Sequence, residues 1–348
     1  MLRIGVMRGR EESFPEAIVA TINAKGGDEV RAEFLQVGGT SMGEKCPYNV
    51  IMDRISHEVP YYQVYLKQAS MQGTYVVNNP FWMNVDDKFF GYSLAQTMGI
   101  PVPKTVVLPN REYIADINAG SLRNLWPIDW KARLEEVGLP CIMKPAFGGG
   151  WKNVTKIESI EHAIETYEQS GDLTMTLQEF IEWDDYIRCL CIGRKHARSI
   201  RYIPRPMGMG EYVQDLSVLN PEHARRAEEY SLRFNEVIGY DMNALEFAVK
   251  GDTVYAIDIT NYVCDMDYKS LRDAHFHWAV DHMSDLLIEK ARTGARNEPT
   301  ANWSRIPEFS FHSNGKSAGA AKAPKAKAEK VEKADKAPKA KGRKKAVK

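Results

Sequence analysis

Apolar residues along the chain fall into short period-two runs, separated by stretches in which they recur three and four apart, and this predicts strands and helices in turn. Leu2 to Met7 predicts a strand, Ser13 to Lys25 a helix broken by Gly26 and Gly27, Val30 to Val37 a second strand and Asn49 to Asp53 a third. Short strands alternating with helices are the pattern of a parallel α/β sheet, whose ligands lie beyond the carboxyl ends of its strands. Arg54 and His57 follow such an end and are therefore substrate-site candidates.

The segment Asp86 to Met98 predicts a helix stopped by Gly99, Pro101 and Pro103, followed by a strand at Thr105 to Leu108. Between Pro140 and Ile157 the order is strand, glycine-rich turn, strand: Cys141 to Pro145, then Ala146 to Asn153, then Val154 to Ile157. Ser159 caps a helix reaching Ser170, and Thr174 to Ile181 is a strand. Strands at Tyr186 to Ile192 and Arg198 to Ile203 are joined by Gly193-Arg-Lys, and Pro204 to Glu211 reads as a loop. Asn220 and Pro221 open a helix that Gly239 closes, and His277 to Arg292 is the last helix. No internal repeat is present.

Asn243 to Asn261 alternates on both sides of Gly251-Asp252, a strong hairpin signal. The alternation assigns Leu245, Phe247, Val249, Tyr255 and Ile257 to an apolar face and sets Glu246 and Asp258 among small residues opposite. A three-residue turn would oppose the two carboxylates directly, and like charges facing across strands repel unless a cation lies between them. Mg²⁺ takes one or two carboxylates plus phosphates, and Asn261 adds an amide oxygen. The hairpin alone leaves a metal pair and a solvated acidic face equally open.

Composition sharpens this outline at its end. The chain has 348 residues, 44% of them hydrophobic, with 46 Lys+Arg against 46 Asp+Glu. Asn314 to Lys348 holds 13 of those cations and 3 of the acids, which leaves 33 against 43 before it. That Lys/Ala/Pro-rich segment has no aromatic residue and no Leu or Ile, so the expectation is a disordered basic tail, able to meet a nucleic acid or an acidic partner. The opening residues carry charge where a signal peptide needs an apolar run, and the expected location is the cytoplasm, without a membrane. Five scattered cysteines, Cys189 and Cys191 on one face of a strand among them, read as reduced packing thiols.

Lys144 closes a strand just before Gly148, Gly149 and Gly150, which would let backbone N–H groups approach an anion beside an ammonium. Neither the Walker A string nor the Rossmann fingerprint occurs. In order along the chain, Asp87-Lys88 opening a helix, Lys144-Pro145, the loop Phe147 to Trp151, Gln178 to Ile181, Asp185 and the pair Glu246/Asp258 resemble the ATP-grasp superfamily, near its ribosomal-protein glutamate ligases and glutathione synthetases. The resemblance spans most of residues 1–300. It implies an α/β architecture of the α+β ATP-grasp type, with a parallel pre-domain over 1–103, a lid subdomain over 104–181 and a C-terminal subdomain over 182–300, ahead of the tail 314–348.

The resemblance also implies roles. Lys88 and Lys144 would hold ATP phosphates under the loop of Gly148, Gly149 and Gly150, the strand end Glu179, Phe180 and Ile181 would read adenine, and Asp185 would hold the ribose. Glu246, Asp258 and Asn261 would ligate Mg²⁺ or Mn²⁺, and Asp258-Ile-Thr-Asn261 departs from the usual Glu-x-Asn by one residue, so that Asp265 or Asp267 could substitute. The implied activity is an ADP-forming ligation of a carboxylate to an amine or thiol through an acyl phosphate, on small-molecule or peptide substrates; the alternatives are phosphotransfer, or a nucleotide-gated protein whose basic tail binds nucleic acid. Arg201, then Arg188 and Arg205, are the candidates for the cation beside the acyl phosphate, and self-association is compatible with this outline.

Overall fold

The computed structural model describes residues 1–82, 87–113, 117, 127–205 and 210–298. The basic segment 314–348, with the disorder and the partners expected of it, lies outside the described residues, as do positions 206–209 of the expected loop.

Three sheets carry the fold. The first joins β1 (Leu2–Met7), β2 (Val30–Phe34), β3 (Val50–Asp53) and β4 (Tyr75–Val77) in the order β2-β1-β3-β4, all parallel. Helices α1 (Ser13–Lys25) and α2 (Pro60–Met71) supply its crossovers. The second sheet is antiparallel, in the order β5 (Thr105–Val107), β8 (Met175–Glu179), β6 (Cys141–Pro145), β7 (Thr155–Ile157), and packs on α4 (Trp130–Val137) and α5 (Ile160–Glu168). The third, also antiparallel, runs β11 (Glu211–Tyr212), β10 (His196–Ile203), β9 (Asp185–Ile192), β12 (Met242–Lys250), β13 (Thr253–Asp258).

Both faces of the third sheet are covered. One packs on α3 (Lys88–Thr97) and α6 (Pro221–Ile238), the other on α7 (Tyr268–Thr293). Helix α7 also touches β1, β3 and α1, so it is enclosed between two sheets, and consecutive Leu286, Leu287 and Ile288 are all buried. Its first turns precede the expected start at His277, because Arg272 at φ 57° breaks the periodic pattern there. In β9 the burial of both faces gives a nearly continuous apolar run, with Cys189 and Cys191 in the core on the α6 side. All five cysteines are free.

The hairpin corrects its expected faces. Lys250 pairs with Thr253, so the turn has two residues, and Phe247 and Val249 share a face with Ala256 and Val254. Tyr255 and Ile257 lie instead on the α7 side with Ala244 and Ala248. A bulge between Glu246 and Phe247 inserts one extra residue on the partner strand and brings Asp258 opposite Glu246. The carboxylates are opposed by this bulge rather than by a three-residue turn. Helices α2 and α4 and the strands β4 and β11 were not anticipated. No helix among the described residues is long and apolar enough to cross a membrane.

Candidate functional site

A cavity of about 930 Å³ opens between the second and third sheets, roofed by the glycine loop. Its floor is one row of paired strand residues, Arg188 on β9, Glu246 on β12 and Asp258 on β13. Arg188 Nη1 donates to Glu246 Oε1 at 3.0 Å and the Tyr186 hydroxyl donates to Oε2 at 2.7 Å. Lys88 Nζ donates to both oxygens of Asp258, at 3.0 and 2.9 Å. Two facing carboxylates are thus each offset by a cation.

Helix α3 aims the first of those lysines. Asp87 caps it by accepting from Phe89 N and Phe90 N, and Lys88 N donates to Ala146 O, which ties the helix start to the end of β6. One turn along α3, Tyr92 donates to Ile257 O at 2.5 Å and accepts from Lys144 Nζ at 2.9 Å. The bulge exposes that Ile257 carbonyl, which also accepts from Lys144 at 3.3 Å. Burial pulls the Lys88 ammonium down, but Asp258 outweighs it and the net shift is upward. Lys144 has no direct carboxylate partner, so burial wins over Asp258 and Glu246 and its shift is downward. For Asp258 burial pushes up, yet Lys88 and Lys144 hold the carboxyl below its usual value. Three cations against two carboxylates leave the floor ready for an anion.

Between β6 and β7 the loop passes through Gly148 at φ 91° and Gly150 at φ 71°. A Cβ on either would meet nothing within 4 Å, so it is the backbone conformation, not space, that calls for glycine. Gly148, Gly149 and Gly150 line the cavity, and Phe147 and Trp151 on either side are exposed. At the far end lie Glu179, Phe180 and Ile181, with Lys156 Nζ 4.6 Å from the Phe180 ring centroid. Glu179 N–H donates to Lys104 O.

Several expected positions fall elsewhere. Period two puts Tyr186 and Arg188 on the cavity face of β9 and Asp185 on the other; Arg201, paired with Ile187, shares that other face and meets Asp185 at 3.1 Å. Neither Asp185 nor Arg201 lines the cavity, and Arg205 pairs with Glu211. Arg54 is 3% exposed, its donors go to Glu11, Cys264 O and Met242 Sδ, and it does not line the cavity. His57 does line the cavity, its ring against Tyr262; burial lowers its pKa, against Glu58 and Asp53. Asn261 and Asp265 line it as well, while Asp267 caps α7. Among the described residues no group of three or more His, Cys, Asp or Glu is arranged for a metal, so a cation here would rest on two carboxylates and other oxygens.

Sequence reasoning missed Tyr92, Tyr186, Tyr202 and Tyr212. Tyr92 was reachable as the residue one turn from Lys88, and Tyr186 as the same-face neighbour of Arg188. Tyr202 and Tyr212 needed the strand pairing, which local spacing does not reveal.

No family model matches the chain. A segment is 33% identical over 100 residues to a D-alanine–D-alanine ligase of Ralstonia pickettii, covering 28% of this chain and 25% of that protein. The chain thus spans only about a quarter of that relative's length. The solved D-alanine–D-alanine ligase of Bacillus anthracis, complexed with ATP, superposes with a TM-score of 0.55 at 17% identity, over 84% of this chain and 98% of that one. An ATP-grasp protein with a RimK domain from Sphaerobacter thermophilus superposes with a TM-score of 0.58 at 17% identity, over 83% and 98%. The chain has the ATP-grasp fold. Its cavity lies between the two antiparallel sheets, and the row Arg188, Glu246, Asp258 is its floor.

Proposed function

We propose that this ATP-grasp chain is a Mg²⁺-dependent, ADP-forming ligase that activates a carboxylate as an acyl phosphate and passes it to an amine or thiol. The observation that carries the reading is the convergence of Lys88, Lys144 and Arg188 on the opposed pair Glu246 and Asp258 beneath a glycine loop. In this reading residues 1–103, 104–181 and 182–300 act as three lobes. Lys88 and Lys144 neutralise phosphate charge, the loop 147–151 covers the phosphates, and Glu179 to Ile181 meet the base.

Glu246 and Asp258, with Asn261 or Asp265, would hold Mg²⁺, which when bound would neutralise negative charge on the nucleotide. The fit rests on the donor set: two opposed carboxylates are hard oxygen ligands, and their present partners are the side chains of Lys88, Arg188 and Tyr186 rather than backbone groups. Arg188, not Arg201, stands where the acyl phosphate would form, since only Arg188 shares the cavity with the carboxylates. His57 stands at the acceptor side.

Lys144→Ala and Glu246→Ala are each expected to abolish ATP turnover, measured as phosphate release, while the far-ultraviolet circular dichroism stays unchanged. Full turnover in either would sink the assignment. Product mass separates ligation, which joins two metabolites, from phosphotransfer, which adds phosphate alone.

A further inference from the structure

Two buried donors on residues that line the cavity are left over by this reading. Arg188 Nε and the Tyr212 hydroxyl are buried, and neither has a hydrogen-bond partner among the described residues. Their residues are 9% and 6% exposed and both line the cavity. Buried donors are nearly always paired, and a bound ligand is one accepted reason for an exception. The only other unpaired buried side-chain atoms among the described residues, His275 Nδ1 and Ser284 Oγ, belong to α7 and do not line the cavity.

The guanidinium is held by its faces. Its Cζ lies 5.2 Å from the Tyr202 ring centroid and 5.6 Å from that of Tyr212. The two rings pack edge to face at 5.1 Å, in the register Tyr202 to Tyr212 that joins β10 to β11. Nη1 is committed to Glu246. Stacking fixes the plane without using the edge that carries Nε, so that edge is kept for an acceptor.

We propose that Arg188 Nε and the Tyr212 hydroxyl form a two-donor cradle for one oxyanion, either the substrate carboxylate or the phosphoryl group it acquires. This rests on the ligase reading for its context and adds Tyr212 to it. Tyr212 then serves as a substrate-contacting residue on the edge strand, and removal of its hydroxyl leaves Arg188 to hold the oxyanion alone. Because the hydroxyl has no partner in the free protein, the substitution should cost the fold nothing.

The test uses the full chain and Tyr212→Phe. Melting temperatures are measured without anion, and then during titration with acetate and separately with orthophosphate, each with and without Mg-ADP. The variant should melt no lower than the wild type without anion, and should lose about tenfold in affinity for at least one anion. Loss for acetate identifies the substrate carboxylate as the occupant, and loss for orthophosphate identifies the phosphoryl group. Unchanged affinity for both overturns the cradle, as does a lower melting temperature in the anion-free variant. Failure of the wild type to bind Mg-ADP would count against the ligase reading, while the nucleotide-free titrations still judge the cradle.

Discussion

Two arginines lie deep in this molecule and were both candidates from the sequence, yet their surroundings divide them. Arg54, at the end of a parallel strand, sits over Phe14 and spends its donors on both oxygens of Glu11, on Cys264 O and on Met242 Sδ. Arg188, in the middle of an antiparallel sheet, has one carboxylate partner and an unpaired Nε. A buried cation whose donors are consumed is a strut, and one with a donor to spare is a receptor. Arg54 is a strut for the segment that bears the cavity residues Tyr262 and Asp265: Glu11 also accepts from Met266 N at 2.7 Å, and Asp267 accepts from Ser13.

The comparison breaks most sharply at Arg54. Arg54→Met keeps the volume and leaves a largely buried Glu11 without its cation, which typically costs about 3–5 kcal/mol. Urea unfolding monitored by tryptophan fluorescence should show that loss, and at temperatures where the variant is folded its Mg-ADP affinity should match the wild type. A midpoint unchanged from wild type would show that Arg54 is not a strut.

Arg188→Met should give the reverse profile. Glu246 keeps the Tyr186 hydroxyl, so the fold loses less than with Arg54→Met, while ATP turnover falls by about 10²- to 10³-fold, the effect of removing one preorganised donor from a developing charge. Steady-state phosphate release reads it, and turnover at the wild-type rate would end the receptor assignment. If both variants lost stability alone, the difference between the two arginines would have no functional content.

Much of this was legible in local pattern. The strand at Leu2–Met7, the helix bounds of α1, the cap and closing glycine of α6 and the strand before the glycine loop are all set by neighbours within four residues, and all appear where the pattern placed them. The opposition of Glu246 and Asp258 was anticipated for the wrong reason, because a bulge depends on how two strands settle against their sheet. Arg201 and Asp185 went astray through a one-residue question of face: they are one step out of phase with Arg188, and only strand pairing shows which phase meets the cavity. The partners of Arg54, namely Glu11, Met242 and Cys264, lie far off in sequence, so its burial could not be read locally. For these residues the deciding contacts were non-local in each case.

The smallest effect probes how a cation is aimed rather than whether it is present. Lys88 reaches Asp258 because α3 begins where it does, and that start is fixed by the Asp87 carboxylate accepting from Phe89 N and Phe90 N. Asp87→Ala should cost about 1 kcal/mol, the usual worth of such a cap, seen as a lower urea midpoint. The first turn frays before the rest of the helix, and Lys88 lies in that turn while Tyr92 lies a turn further in. Mg-ADP affinity should therefore weaken by a few-fold in Asp87→Ala, and Asp87→Asn, which keeps a capping oxygen, should restore most of it. Were the stability loss to occur with affinity untouched, Lys88 would be held by Asp258 and by its N–H bond to Ala146 O, and its position would owe nothing to the Asp87 cap.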